Sequence, residues 1–103
     1  MALTLDDDQG ASEDPYDACD DLLNGADING SIAVIRRGEC QFGFKILAAQ
    51  NQGAVAVIIV NNVPGAPITM APGDVGDQVT ITSIMISQTD GEAIIAALLA
   101  GEQ

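Results

Sequence analysis

The middle of the chain alternates between strand-like and helix-like patterns of apolar residues. Ser31 to Ile35 form a short run rich in β-branched residues, which predicts a buried strand. Gln41 to Gln52 place apolar residues at helical spacing, and Gly53 follows where a helix commonly ends. Ala54 to Val60 are continuously apolar, as in a strand covered on both faces. Together these segments predict a right-handed βαβ unit.

The two ends of the chain are less regular. Residues 1–15 combine acids with Gly10 and Pro15 and predict an extended acidic connector, with an edge strand at Ala2 to Leu5 and ordered structure beginning near Tyr16. Repeated prolines and glycines between residues 61 and 74 predict a long surface loop that holds a brief strand around Ile68 to Met70.

Two short strands and a second helix are predicted near the carboxyl end. Val79 and Ile81 alternate with polar residues in the manner of an edge strand, and a further strand follows at Ile84 to Ile86. Thr89 to Glu92 resemble a capping box that opens a helix. That helix would bury one apolar stripe, formed by Ile94, Ile95, Leu98 and Leu99.

Length and charge narrow the classes of function. A chain of 103 residues with 48% hydrophobic content suits one compact domain. Its 15 acidic and three basic residues give a formal charge of -12, which argues against nucleic acid and anionic lipid as partners. Nine of the acids lie between Asp6 and Asp27. The longest apolar runs are too short for a membrane span, and the first residues do not resemble a signal peptide.

The two cysteines, Cys19 and Cys40, are 21 positions apart in a chain without histidine. A zinc or haem site is therefore disfavoured, which leaves a disulfide as the favoured interpretation and two buried free thiols as the alternative. A bridge would indicate an oxidising compartment, either extracellular or periplasmic.

An ordered set of motifs resembles the protease-associated (PA) domain family. The set runs from Gly30-Ser-Ile-Ala-Val-Ile-Arg-Arg-Gly-Glu-Cys-Gln-Phe42 through Lys45, Ala49 and Gly53-Ala-Val-Ala-Val-Ile-Ile59 to Asn61-Asn62. The resemblance covers roughly Tyr16 to Gly101, so that residues 16–103 would form the PA domain. PA domains inserted in secreted bacterial serine and metallo-peptidases are the most similar.

The resemblance implies a fold and a role. The expected fold is α/β, with a β-sandwich or open-barrel core, parallel strands and two flanking helices, and with Cys19 bridged to Cys40. The expected role is that of a non-catalytic accessory domain of a secreted peptidase. Its partners would be a protein or peptide substrate and the catalytic domain of the parent enzyme. The alternative is a peptide-binding ectodomain module of a sorting receptor.

Catalytic arrangements can be tested by elimination. A Ser-His-Asp triad, a Cys-His dyad and a histidine-based metallopeptidase helix all need histidine, which the chain lacks. A Ser-Lys pair of Lys45 with Ser83 or Ser87 remains formally possible. Ser87 is better explained as a capping hydroxyl and Lys45 as a partly buried ion-pair partner. No catalytic residue and no cofactor are expected.

The leading candidate for peptide contact is the turn Arg36, Arg37, Gly38 and Glu39, because a guanidinium can grip a carboxylate or a carbonyl through two hydrogen bonds. In plant sorting receptors, which this turn resembles, an Arg-Gly-x-Cys turn helps to bind a cargo peptide. The competing interpretation pairs one arginine with local acids such as Asp20 or Asp21.

A second candidate for peptide contact is the loop of Asn61, Asn62 and Pro64, whose amides could bond an extended peptide. Turn geometry alone would also explain these residues.

Calcium is the only metal that the composition suggests, through Asp6 to Asp8 or through Asp17, Asp20 and Asp21. The spacing fits no EF-hand loop, and Asp74 with Asp77 would make a weaker second site. A solvated acidic face is the favoured interpretation, and no metal site is predicted.

Overall fold

A single parallel sheet organises the described part of the chain. The computed structural model describes residues 1–6, 14–38, 40–65 and 78–101. Its strands are β1 (Ala2–Leu3), β2 (Ile32–Arg36), β3 (Ala56–Val60) and β4 (Thr82–Ile86), in the spatial order β1-β2-β3-β4. All three neighbouring pairs are parallel. Parallel neighbours require crossover connections, and helices lie in the crossovers from β1 to β2 and from β2 to β3.

Three helices complete the described structure: α1 (Gly25–Ile28), α2 (Phe42–Asn51) and α3 (Gln88–Leu99). The predicted strand, helix and strand of the βαβ unit are thus confirmed as β2, α2 and β3. Helix α2 ends where the sequence indicates, because Gly53 adopts a positive φ of 95°, a conformation that favours glycine.

The sheet buries apolar side chains on both faces, because successive strand residues point to opposite sides. Ala33 and Ile35 pack on one face with Ile46 and Ala49 of α2. On the other face, Val34 of β2 and Val60 of β3 pack against Ile95 of α3. Each run reads as continuously apolar because helices cover both sides of these strands. The fold class is α/β, as the resemblance implies.

Residues 78–81 do not form the expected edge strand. Their backbone is bonded by the Gln50 side chain, whose Nε2 donates to Gln78 O at 3.1 Å and whose Oε1 accepts from Thr80 N at 2.7 Å. A side chain of α2 therefore takes the place of a strand partner, and β4 begins only at Thr82.

Helix α3 departs from its predicted details at both ends. Its N-cap is Ser87, whose hydroxyl accepts from Asp90 N at 3.2 Å, so the expected capping box from Thr89 to Glu92 is wrong. Leu99, which the sequence pattern places in the buried stripe, is 59% exposed. The described residues include no helix long and apolar enough to cross a membrane. The strand expected at Ile68 to Met70 lies outside the described residues.

Candidate functional site

The two predicted contact segments lie side by side. The register pairs Arg36 of β2 with Val60 of β3, so both strands end at the same edge of the sheet. Beyond that pair, Arg37 N donates to Val60 O at 2.8 Å and Asn61 N donates to Ile86 O at 3.1 Å. The turn after β2 and the loop after β3 thus form one surface, which we call the carboxyl-edge turn (residues 37, 38 and 61–64).

Side chains also connect the two halves of the carboxyl-edge turn. Nη1 of Arg37 donates to Oδ1 of Asn61 at 3.0 Å. The Arg37 guanidinium also lies 5.7 Å from the centre of the Phe42 ring, within the range of a cation–π contact. Within the described residues no hydrogen bond engages Nε or Nη2 of Arg37, so part of its fork is available to a ligand.

The guanidinium of Arg36, unlike that of Arg37, is occupied by contacts with acids of the domain. Its Nε and Nη2 donate to the two carboxyl oxygens of Glu92 at 3.1 and 2.8 Å, and its Nη1 donates to Asp14 at 3.3 Å. Its guanidinium also lies 5.5 Å from the centre of the Tyr16 ring. Arg36 is therefore paired with acids, as the competing interpretation expects of one arginine, but the partners shown are Glu92 and Asp14, which are distant in the sequence.

The backbone of the turn packs against the buried side chain of Asp17. A Cβ on Gly38 would lie 2.7 Å from Cβ and 2.9 Å from Cγ of Asp17, so only glycine fits here without displacing that side chain. Cys19 is bridged to Cys40, which confirms the disulfide and ties the turn to the segment containing Asp17. Glu39 lies outside the described residues.

Residues of the loop after β3 differ in exposure. Asn61 is fully buried, and its Nδ2 has no hydrogen-bond partner among the described residues. Asn62 and Pro64 are exposed. Asn61 therefore positions Arg37, whereas Asn62 and Pro64 are accessible to a ligand.

Lys45 is fully buried, although the sequence indicates partial burial. Its Nζ donates to Arg36 O at 3.2 Å, and no ion pair joins it to an acid of the described part of the chain, so the expected ion-pair role is wrong. Burial lowers the pKa of Lys45 to about 8, against the opposing attraction of Asp17, Asp14 and Asp6.

The formally possible Ser-Lys pair does not form in the described structure. Ser87 caps α3, and the hydrogen bond from Lys45 goes to a backbone carbonyl rather than to Ser83 or Ser87. A serine nucleophile needs a base within hydrogen-bond reach, and no described hydrogen bond joins Lys45 to either hydroxyl.

Among the acids considered for calcium, only some belong to the described residues. Asp6 is 2% exposed and Asp17 is fully buried, so these two do not form the expected solvated face. In the described ranges no three histidine, cysteine or acidic side chains come together as a metal site. Asp7, Asp8, Asp74 and Asp77 lie outside those ranges.

Sequence patterns did not indicate several residues that support the candidate site. The sequence patterns place Glu92 only in a capping box, and Phe42 only in the helical and family patterns. Asp17 was grouped with exposed acids. Glu92 contacts Arg36 and Asp17 contacts Gly38 across long separations in the chain, so local spacing carries no signal for these two.

Comparisons with known proteins support the sequence resemblance. The family model of the PA domain matches residues 3–94. ER degradation-enhancing alpha-mannosidase-like protein 3 of Xenopus laevis is 33% identical over 95 residues, which cover 85% of this chain and 10% of that protein. Minor extracellular protease Vpr of Bacillus subtilis is 35% identical over 80 residues, which cover 78% and 9%.

A solved structure supports the same assignment. An aminopeptidase from Aneurinibacillus sp. strain AM-1 is 38% identical with a TM-score of 0.65, over 76% of this chain and 20% of that one. The chain thus spans about a tenth of the two sequence relatives and a fifth of this structure. The matched length, the parallel sheet and the bridged turn agree, and the chain belongs to the PA domain family.

Proposed function

We propose that this PA domain is a non-catalytic accessory module of a larger secreted peptidase and binds protein or peptide segments at the carboxyl-edge turn. The observation that carries the proposal is the arrangement of Arg37. Asn61 and Phe42 hold its guanidinium, while Nε and Nη2 make no hydrogen bond to any described residue. A guanidinium fixed in this way loses little freedom on binding a carboxylate or a backbone carbonyl.

The neighbouring loop extends the proposed contact. Asn62 and Pro64 are exposed in the loop that follows Asn61, where an amide could bond the backbone of an extended peptide. Glu39 completes the predicted set of contact residues. The peptidase context is supported by the extracellular protease and the aminopeptidase among the relatives. The disulfide suits an oxidising location, either extracellular or periplasmic.

Binding can be tested with an array of immobilised peptides tiled over casein. We expect the wild-type domain to retain a subset of these peptides and Arg37→Ala to lose most of them. Arg37→Lys should bind more than Arg37→Ala but less than the wild type, since an ammonium keeps the charge but not the planar donor geometry of a guanidinium. The control is Val55→Ala, at an exposed position just before the opposite end of β3, and it should bind as the wild type does. Equal retention by wild type and Arg37→Ala would refute the site.

An accessory domain should not hydrolyse peptide substrates by itself. The purified domain should release no product from labelled casein or from aminopeptidase substrates, because it has no histidine and Lys45 contacts neither candidate serine. Turnover that persists through purification would contradict the accessory role while leaving the binding site untested by that assay.

A peptide-binding module outside a peptidase is the second candidate, as in a sorting receptor. The mannosidase-like relative supports this second candidate, because that protein is not named as a peptidase. A membrane-spanning segment downstream in the longer protein would favour this alternative. A catalytic domain in the same polypeptide would favour the peptidase.

A further inference from the structure

Two buried carboxyl groups meet beneath the carboxyl-edge turn. Asp6 is 2% exposed and Asp17 is fully buried. One backbone amide serves both, since Cys19 N donates to Asp6 Oδ2 at 3.0 Å and to Asp17 Oδ1 at 3.1 Å. The amide of Asp20 also bonds Asp6. Neither the predicted peptide site nor the fold alone explains why two acids share this position.

The remaining oxygens of this pair have no donor. Oδ1 of Asp6 and Oδ2 of Asp17 are buried without a hydrogen-bond partner among the described residues. An ionised carboxylate can only accept hydrogen bonds, so two ionised groups here would repel each other and leave these oxygens unsatisfied. A single proton turns one group into a donor to the other and removes one negative charge.

The surrounding charges do not replace that proton. Lys45 is near enough to attract both acids, but its ammonium donates to Arg36 O, and no ion pair joins it to either carboxyl in the described structure. Asp14 adds a further negative charge near Lys45, and Arg37 a positive one. None of these three groups donates a hydrogen bond to the unsatisfied oxygens in the described structure.

We propose that Asp6 keeps its proton in the folded protein and donates it in a hydrogen bond to Asp17, and that loss of this shared proton toward neutral pH loosens residues 1–6 from the carboxyl-edge turn. Asp6 belongs to residues 1–6, whose backbone bonds Val34 through Thr4 N at 3.1 Å and Pro15 through Asp6 N at 2.8 Å. Asp17 packs against Gly38 of the turn. The pair therefore connects these two parts, and repulsion within it acts on both.

The direction of the pH effect follows from linkage. Burial, the hydrogen bond that protonated Asp6 donates to Asp17 and the negative charge of Asp17 raise the pKa of Asp6 from 3.8 to about 7. A raised pKa means that the folded state binds more protons than the unfolded state between these values, so stability is highest at the acidic end and falls toward pH 7. The proposal does not depend on peptide binding at Arg37.

The titration can be measured in the unaltered protein. We expect the side-chain carboxyl ¹³C resonance of Asp6 to titrate with a midpoint near 7, and amide protection of Thr4 and Asp6, corrected for intrinsic exchange, to fall at least about tenfold over that titration. A midpoint near the ordinary 3.8 would overturn the shared proton. Protection that stays constant while Asp6 titrates would overturn the loosening.

Variants provide a second test. Asp6→Asn supplies a permanent donor in place of the proton, so its urea midpoint should change less between acidic and neutral pH than that of the wild type. Asp27→Asn removes the same charge at an exposed position of α1 and should keep the wild-type pH dependence. Identical pH dependence in both variants would refute the proposal. If millimolar Ca²⁺ restored the amide protection of Thr4 and Asp6 in the wild type at neutral pH, that result would also refute the proposal, in favour of a bound cation.

Discussion

The Arg36 guanidinium contacts both carboxyl oxygens of Glu92, across 56 positions of sequence, at 3.1 and 2.8 Å. This contact joins the end of β2 to the first turns of α3. Of the two adjacent arginines, it leaves Arg37 to face the proposed ligand. The two adjacent arginines therefore have different expected effects when they are replaced.

Replacing Arg36 should reduce stability. Arg36→Ala removes the two-point contact with Glu92, the bond to Asp14 and the contact with the Tyr16 ring. The Arg36 side chain is 26% exposed, so we expect a loss of about 1–2 kcal/mol in the free energy of unfolding, measured by urea denaturation. In a double-mutant cycle, adding Glu92→Ala to Arg36→Ala should cost little more, whereas fully additive losses would show that the pair is uncoupled.

The helix cap provides a comparison of two neighbouring hydroxyl groups. Ser87→Ala removes the acceptor for Asp90 N and should lower the free energy of unfolding by about 1 kcal/mol. Thr89→Ala changes the residue that the sequence pattern favours as the cap, and it should have a much smaller effect. A larger loss in Thr89→Ala than in Ser87→Ala would contradict the observed cap.

The disulfide should contribute strongly to stability. Its cysteines are 21 positions apart, and closing such a loop is worth about 3 kcal/mol in the chain-entropy model. We expect a reductant to lower the unfolding midpoint of the wild type by a corresponding amount. The double variant Cys19→Ala, Cys40→Ala should show a lowered midpoint that the same reductant does not change. A reductant-sensitive midpoint in that variant would point to another cause.

Lys45 should be the main cause of the change in the free energy of unfolding at alkaline pH, which we call the alkaline limb. Burial lowers the pKa of Lys45 in the folded state from 10.5 to about 8, so the unfolded state binds more protons between these values. Stability should therefore rise with pH across this window as the folded protein loses the buried charge. Lys45→Met should flatten this limb in urea denaturation, and an unchanged limb would show that another group is responsible.

Local patterns were sufficient to predict much of the fold. The β-branched runs at residues 32–35 and 54–60 and the helical spacing between them predict β2, β3 and α2 correctly, because period and branching are properties of neighbouring residues. The prediction fails at residues 78–81. Their alternating pattern suits an edge strand, but the Gln50 side chain takes the hydrogen bonds that a strand partner would use.

By itself, the sequence determined the family, the absence of histidine chemistry and the segments that form the central βαβ unit. Only the tertiary structure assigned different environments to Arg36 and Arg37, and only it showed that Asp6 and Asp17 are buried together. The physical reason is that a charged side chain looks the same in sequence whether it is solvated or buried. Its environment depends on partners that the fold brings from distant positions, here Glu92, Asn61 and the amide of Cys19.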